Sequence, residues 1–382
     1  MKTSEFDYDL DPGRIAQTPV EPRDASRLMV VNRADGSIVH RRFRDIGDYL
    51  SADDVLIFNE SRVIPARLFA HKLFPPRPGQ ETPRRGGRVE LLLLSQQENG
   101  HWNALVKGKR VRQGTRLTLV KPETGKPIGI EATVVQMGER GQRLVAFEPA
   151  LDVGATLDKI GAVPLPPYIH TSLKDAERYQ TVYARCSGSV AAPTAGLHFT
   201  PDLLLDLRRQ GVAFGFVTLH IGLDTFRPVS AEWVQDHAMH SEFFILDPPT
   251  AEQVNRARLS GRRIVAVGTT VVRVLESAAQ KTLARLRQGS VEASVESAAY
   301  AGDGACAWQT VAAFEGPTDL FITPGYRFNV IDRLITNFHL PRSTLLMLVS
   351  AFAGLDLTRR AYQAAIDHDY RFYSFGDAML IL

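Results

Sequence analysis

Thr200–Ile221, TPDLLLDLRRQGVAFGFVTLHI, sets a helix directly before a strand and decides the fold class. Thr200 is a good N-cap residue, Pro201 suits the first helical position, and Asp202 lies near the positive helix end. Leu203, Leu204 and Leu207 share one helical face, and Gly211 suits the C′ position. The apolar run VAFGFVTLHI then reads as a buried strand. Just upstream, VAAPTAGLHF (Val190–Phe199) is a constrained loop. Pro193 turns Ala192 away from helix, and Gly196 permits backbone that other residues resist. The loop carries Thr194 and His198 to a helix N-terminus. A substrate loop and a plain strand-to-helix connection with a buried histidine fit this local chemistry equally well.

Outward from this unit the alternation continues. AEQVNRARLSG reads as a helix, RIVAVG as a strand, and TTVVRVLESAA as a helix capped by Thr269 or Thr270. LFIT (Leu320–Thr323) reads as a strand, and NVIDRLITNF and STLLMLVSAFAG as helices. Near the N-terminus, SRLMVV (Ser26–Val31), SIVHRRF and DVLIFN (Asp54–Asn59) read as strands. Such alternation predicts an α/β domain with a mostly parallel or mixed sheet. Lys281–Ala313 has weak periodicity around AGDGAC and reads as a surface excursion.

A different pattern interrupts the α/β one. PPRPGQETPRRGGR (Pro75–Arg88) reads as a loop. Short strand-like runs follow: VELLLLS, HWNALVKG, RLTLV, IGIEATVVQM and RLVAFE. They predict a small antiparallel β-barrel inserted at 66–157, leaving 1–65 and 158–382 as a discontinuous α/β catalytic domain. Between Ala66 and Ala150 there are five lysines and ten arginines against seven glutamates and no aspartate, a net of +8. The whole chain carries only +3, so the remainder carries −5. A basic module on an acidic body suits a polyanionic partner such as nucleic acid, although a plain solvated basic surface has the same composition.

Composition and motif absence exclude several classes. The 44% hydrophobic and 23% charged content is that of a globular protein. No apolar run is long enough to span a bilayer, and MKTSEFDYDLDP has no signal-peptide core, so a cytoplasmic protein without membrane contact is expected. Cys186 and Cys306 lie far apart, outside any disulfide or thiolate-zinc spacing. Neither a glycine-rich methyltransferase turn, a Walker A loop nor a serine-hydrolase elbow is present. His237, His240 and Glu242 form HxxHxE, but this is not the helical zinc spacing and lacks a third strong ligand, so no metal is expected.

Polar residues gather at predicted strand and helix ends. VAVG-TT places Gly268, Thr269 and Thr270 where a helix start can hold a carboxylate or phosphate. Arg273 and Glu276 share one face of that helix, directed either to the site or to a surface ion pair. His220 closes a strand, and His198, His237 and His240 also lie near element ends.

The motifs VAAPTAGLHFT, VTLHIGLDTFRPV, HAMHSEFF, VGTTVVRVLES, TNFHLPRSTLLMLVSAFAG and YRFYSFGDAMLIL closely resemble the S-adenosylmethionine:tRNA ribosyltransferase-isomerase family of queuosine biosynthesis. The likeness also includes IAQTPVEPRDASRL, FNESRVIPARL, PLPPYI and RYQTVYA, and so spans nearly the whole chain. It implies transfer and isomerisation of the ribosyl moiety of S-adenosylmethionine onto 7-aminomethyl-7-deazaguanine (preQ1) at the tRNA wobble position. Products would be epoxyqueuosine-tRNA, adenine and methionine. An α/β domain with an inserted barrel is also what the resemblance implies. S-adenosylmethionine would be a consumed co-substrate, with no cofactor, and the enzyme is expected to be a monomer.

That chemistry requires a base for the acidified C5′ proton, an acid for departing adenine, and polar groups for developing charge. The candidates for catalysis are His198, His220, His237, His240 and Glu242, undivided between roles. Thr194, Gly196, Thr269, Thr270, Arg273, Asn337 and His339 are candidates for substrate binding. Arg62, Arg67, Arg84, Arg85, Lys107, Lys109 and Arg110 are candidates for tRNA phosphate contacts. Asp224 stands where the family pattern usually has glycine. Two other readings remain: an inactive tRNA-binding protein of this fold, and a transferase acting on a free deazapurine nucleoside.

Overall fold

A computed structural model describes residues 1–122, 124–138, 141–151, 156–222, 228–292 and 309–382, without the side chains of 288–292. Asp224 and the AGDGAC run lie outside the described residues. The chain divides into two compact units, Met1–Arg62 with Pro166–Leu382, and Val63–Leu165.

The first unit begins with β1 (Arg27–Val31), β2 (Ile38–Arg42) and β3 (Asp54–Asn59), followed by β4 (Ser61–Val63) where the chain leaves it. The second unit holds β5 (Arg67–Phe74), β6 (Arg84–Gln96), β7 (Trp102–Lys107), β8 (Arg116–Val120), β9 (Pro127–Met137), β10 (Gln142–Glu148) and the single turn α1 (Leu157–Ile160). The chain returns through β11 (Cys186–Ser189), α2 (Pro201–Arg209), β12 (Ala213–His220), β13 (Glu242–Leu246), α3 (Pro248–Leu259), β14 (Arg263–Val267) and α4 (Thr269–Glu292). It ends with β15 (Phe314–Thr318), β16 (Arg333–Asn337), α5 (Thr344–Ala353), α6 (Leu355–Asp367) and β17 (Ala378–Ile381).

The described residues of the first unit build a nine-stranded mixed sheet in the order β15-β13-β12-β3-β14-β16-β17-β1-β2. β12, β3, β14 and β16 run parallel, as do β17 and β1; the other pairs are antiparallel. Alternation along β3 explains why these strands read as unbroken apolar runs. Val55 and Ile57 face one core with Val271, Leu275 and Met347, on the side of α3–α6. Leu56 and Phe58 face the other with Phe43, Leu203 and Leu207, on the side of α2. Burial on both faces removes the polar alternation of a half-exposed strand.

In the second unit, β5–β10 form a six-stranded antiparallel sheet in which β10 pairs with both β7 and β9.

Several elements differ from the sequence expectations. β6 begins at Arg84, inside the expected loop, because Arg84 and Arg85 pair with Phe74 and Leu73 across a hairpin. Backbone pairing there does not require apolar side chains. Arg333–Asn337, expected within a helix, is the strand β16. The Glu276 carboxylate accepts the amides of Asn329 and Val330 at 2.9 Å each and Ile331 at 3.3 Å, which holds the approach in a loop. LFIT is not a strand; β15 lies just before it and pairs with β13. Lys281–Glu292 continues α4 instead of beginning an excursion. Thr282 is buried there, donates to the Ala278 carbonyl and accepts the Ala312 amide, both at 2.8 Å.

Candidate functional site

The parallel strands β12, β3, β14 and β16 end at one edge, with His220, Asn59, Val267 and Asn337 in successive strands. Ligand sites in α/β sheets gather at such carboxyl edges. Strand alternation then divides the candidate residues between the two sheet faces.

On the α2 side, a hydrogen-bonded row joins four segments distant in sequence. Asn337 follows Ile335 on that face of β16. Its amide donates to the Tyr373 carbonyl at 3.3 Å, which fixes the amide orientation, and lies 3.1 Å from His198 Nε2. Nε2 therefore accepts, and the neutral ring donates from Nδ1 to Ser26 Oγ at 2.7 Å. The Thr194 hydroxyl donates to Asn337 Oδ1 at 2.9 Å. Burial, with Arg371 and Arg23 adding positive charge, lowers the His198 pKa to about 3. Its ring stacks on Phe43, with centroids 4.9 Å apart. Gly196 lies in the same short turn, where a Cβ would collide with the Tyr183 hydroxyl and meet Thr181 Cγ2 at 2.9 Å. Here glycine serves close packing.

His220 ends β12 on the same face. Burial lowers its pKa, and its buried Nδ1 has no hydrogen-bond partner. The backbone of Gly188 lies against the ring; a Cβ there would come 2.7 Å from Cε1.

On the opposite face, Glu242 starts β13 and is buried with Arg273 of α4, which donates to it. Glu242 also accepts the Gly222 amide at 2.9 Å and lies 3.4 Å from His240 Nε2. Burial alone would raise the carboxyl pKa. The His240 hydrogen bond, the Arg273 charge and the Gly222 amide outweigh burial and hold it below its ordinary value. His237 packs edge-on against Phe321. Glu276 turns to the 326–331 loop, so it and Arg273 do not pair with each other. Among the described residues, no group of three or more metal-ligating side chains assembles, and no helix is long and apolar enough to cross a membrane.

Between these clusters, Gly268 at φ +95° leads into α4, and its carbonyl accepts the Val271 amide at 3.2 Å. Thr269 and Thr270 are buried, and Thr270 Oγ1 lacks a partner. His339 lies 3.2 Å from Thr336 Oγ1 through Nε2, while burial lowers its pKa to about 3 and leaves Nδ1 unpartnered. Thr194, Asn337 and His339 line one small cavity with Tyr168, Ser343 and Tyr373. His198 and Ser26 line a neighbouring cleft with Arg23, Arg178 and Arg371. Sequence reasoning gave no role to Ser26, Arg23 or Arg371. The only signal for them was their place in the motifs IAQTPVEPRDASRL and YRFYSFGDAMLIL.

The basic candidates have distinct settings. Arg62 donates to Glu177 at 3.2 Å. Arg67 pairs with Glu90 at 3.2 Å and donates to the Leu165 carbonyl at 3.1 Å, which ties it into its own unit. Arg84 and Arg85 are exposed on β6; Lys107, Lys109 and Arg110 are exposed at and after the end of β7.

Comparison with known proteins covers the whole of this architecture. Residues 3–381 match the family model described as queuosine biosynthesis protein. The chain is 49% identical to the S-adenosylmethionine:tRNA ribosyltransferase-isomerase of Moorella thermoacetica over 386 residues, covering all of both chains. It is 50% identical to that of Thermus thermophilus, over 99% of this chain and 98% of the relative. The crystal structure of S-adenosylmethionine tRNA ribosyltransferase from Thermotoga maritima matches over 99% of this chain and 100% of its own, at 38% identity and a TM-score of 0.50. With its family model matched from end to end, the chain belongs to the queuosine biosynthesis protein family.

Proposed function

We propose that this chain is an S-adenosylmethionine:tRNA ribosyltransferase-isomerase. It moves the ribosyl unit of S-adenosylmethionine onto preQ1 in tRNA and releases adenine and methionine. S-adenosylmethionine is consumed as a co-substrate without a further cofactor, and the enzyme works as a cytoplasmic monomer. The second unit, with β10 paired to both neighbours in a ring of strands, is read as a closed barrel that presents basic residues to tRNA.

The observation that carries the mechanism is the polar row at the carboxyl edge. His198 already accepts a hydrogen bond from Asn337 and stays neutral, so its role is to hold Asn337, and through it Thr194, in one orientation. His220 is neutral at pH 7 because burial lowers its pKa, and no hydrogen bond fixes its buried Nδ1, so the tautomer with the proton there leaves the lone pair on Nε2. We assign it the removal of the C5′ proton that the sulfonium acidifies. The amides at the start of α4 and the Thr270 hydroxyl suit the ligand carboxylate. Ionised Glu242, held by Arg273, anchors Gly222 just beyond His220.

The test incubates purified protein with S-adenosylmethionine and preQ1-containing tRNA, following adenine, methionine and the mass of the tRNA nucleoside. Release of both small products with a ribosyl-derived gain on the base is expected. His220→Gln should lower kcat by about 10²–10⁴-fold while S-adenosylmethionine still binds. Tight tRNA binding without turnover would make the protein a binder, and S-adenosylhomocysteine as product would make it a methyltransferase.

A further inference from the structure

A groove of about 1020 Å³ lies within the second unit, on β5–β7 and the turn after β7, and shares no lining residue with the groups assigned to proton transfer or S-adenosylmethionine binding. Phe69 and Phe74 of β5 both line it. Residues five apart on a regular strand face opposite sides. Beside them β6 carries one extra residue, pairing Arg88 with His71 but Arg85 with Leu73, and both rings border the groove at this irregularity. Phe74 is 44% exposed, unusual for so large an apolar side chain. Its ring lies over Gly86, where any Cβ would collide with it. The Arg88 guanidinium sits 4.4 Å from the Phe69 centroid, and that of Arg84 lies 5.9 Å from Phe74.

Five of the six charged residues in the lining are cationic. Lys72, Arg88, Lys107, Lys109 and Arg110 face one carboxylate, Glu90, which Arg67 already pairs. Lys72 Nζ donates to the carbonyls of Lys109 and Arg110, the latter at 3.1 Å. Arg110 itself is held at φ +55°, a left-handed conformation that a side chain other than glycine adopts at a cost. The turn is thus tied from below, leaving its side chains at the rim.

We infer that this groove binds single-stranded RNA, with a base stacked on Phe74 and neighbouring phosphates held by Lys107, Lys109 and Arg110. A duplex offers the cations its phosphates but keeps its bases from the ring. An unpaired strand satisfies both, which is how sequence-tolerant single-strand sites are built. The inference rests on the reading of the protein as one that acts on tRNA, and it specifies an unpaired stretch as the part that is gripped.

Binding of a fluorescent ten-residue oligouridylate to the full-length protein tests it. A blunt-ended RNA duplex and inorganic polyphosphate, at equal phosphate concentration, serve as comparisons. Phe74→Ala should weaken oligouridylate binding by about five- to a hundredfold, leave its salt dependence unchanged, and scarcely affect the other two. Lys107→Ala with Lys109→Ala should reduce the slope of log affinity against log salt by about 1.4. Phe74 is exposed, so its truncation leaves the core intact, and an unchanged Tm checks this. Oligouridylate binding that ignores Phe74→Ala, or duplex and polyphosphate binding as tight as oligouridylate, would overturn the proposal. The probe contains no preQ1 and the mixture no S-adenosylmethionine. Turnover without Phe74-dependent binding would therefore sink the groove alone, and Phe74-dependent binding without turnover would sink the enzyme reading alone.

Discussion

His198 and His339 are buried imidazoles whose pKa values lie near 3 against an ordinary 6.5. In the unfolded chain both would bind a proton below pH 6.5, whereas the folded protein excludes it until about pH 3. Stability is therefore unaffected above 6.5 and falls as pH drops through that window, by roughly 1.4 kcal/mol per pH unit for each ring. Glu242, whose folded pKa is depressed, adds in the same direction only at the acid end, where its carboxylate is lost. Urea unfolding between pH 7 and pH 4.5 should show the decline, and His198→Gln should lessen it by one proton's share. An unchanged slope in that variant would mean that the imidazole is not excluded from protonation in the folded state. These two rings show why residue type alone did not assign roles. Four of the five catalytic candidates are histidines with the same chemistry as sequence, and only burial and partners distinguish a locked histidine from the uncommitted His220.

At the scale of elements, α2 shows a helix whose two ends are written locally. The Thr200 side chain accepts the Leu203 amide at 3.2 Å, and Gly211 at φ +86° follows the last turn. Thr200→Ala should cost about 1 kcal/mol in unfolding free energy and Thr200→Ser much less, measured by urea denaturation at neutral pH. Because the helix directly follows the His198 turn, the Ala variant should also lower kcat, and an equal effect of both substitutions would remove the cap from the explanation. Elements without such local signals were not legible. β16, RLITN, is too short for its period to distinguish strand from helix, and its neighbours in the sheet decide. The first half of β6 carries arginine and glycine and becomes a strand only because β5 lies beside it. α4 continues past Lys281 because Thr282, Asn255 and the 310–312 amides hold one another.

Across the whole molecule, charge is concentrated where the sequence places it, with +8 between Ala66 and Ala150 and −5 elsewhere. The kcat/KM for tRNA should fall steeply with salt, its log-log slope reduced by about 0.7–0.9 for each phosphate contact removed, while affinity for S-adenosylmethionine changes little. Initial rates from 50 to 200 mM salt would check it, and a flat tRNA response would leave the basic unit without an electrostatic role. The mixed sheet, the α2 cap, the apolar runs of β3, β12 and β14 and the family motifs were determined by the sequence itself, because periodicity, capping and composition act between residues close in the chain. The tertiary structure alone decided that Ser26, His198, Asn337 and Thr194 form one row, that Glu242 and Arg273 pair on the other face, and that Phe69 and Phe74 share a groove. Ser26 is separated by 172 residues from His198, and His198 by 139 from Asn337. No local preference specifies such pairs; strand order and register bring them together.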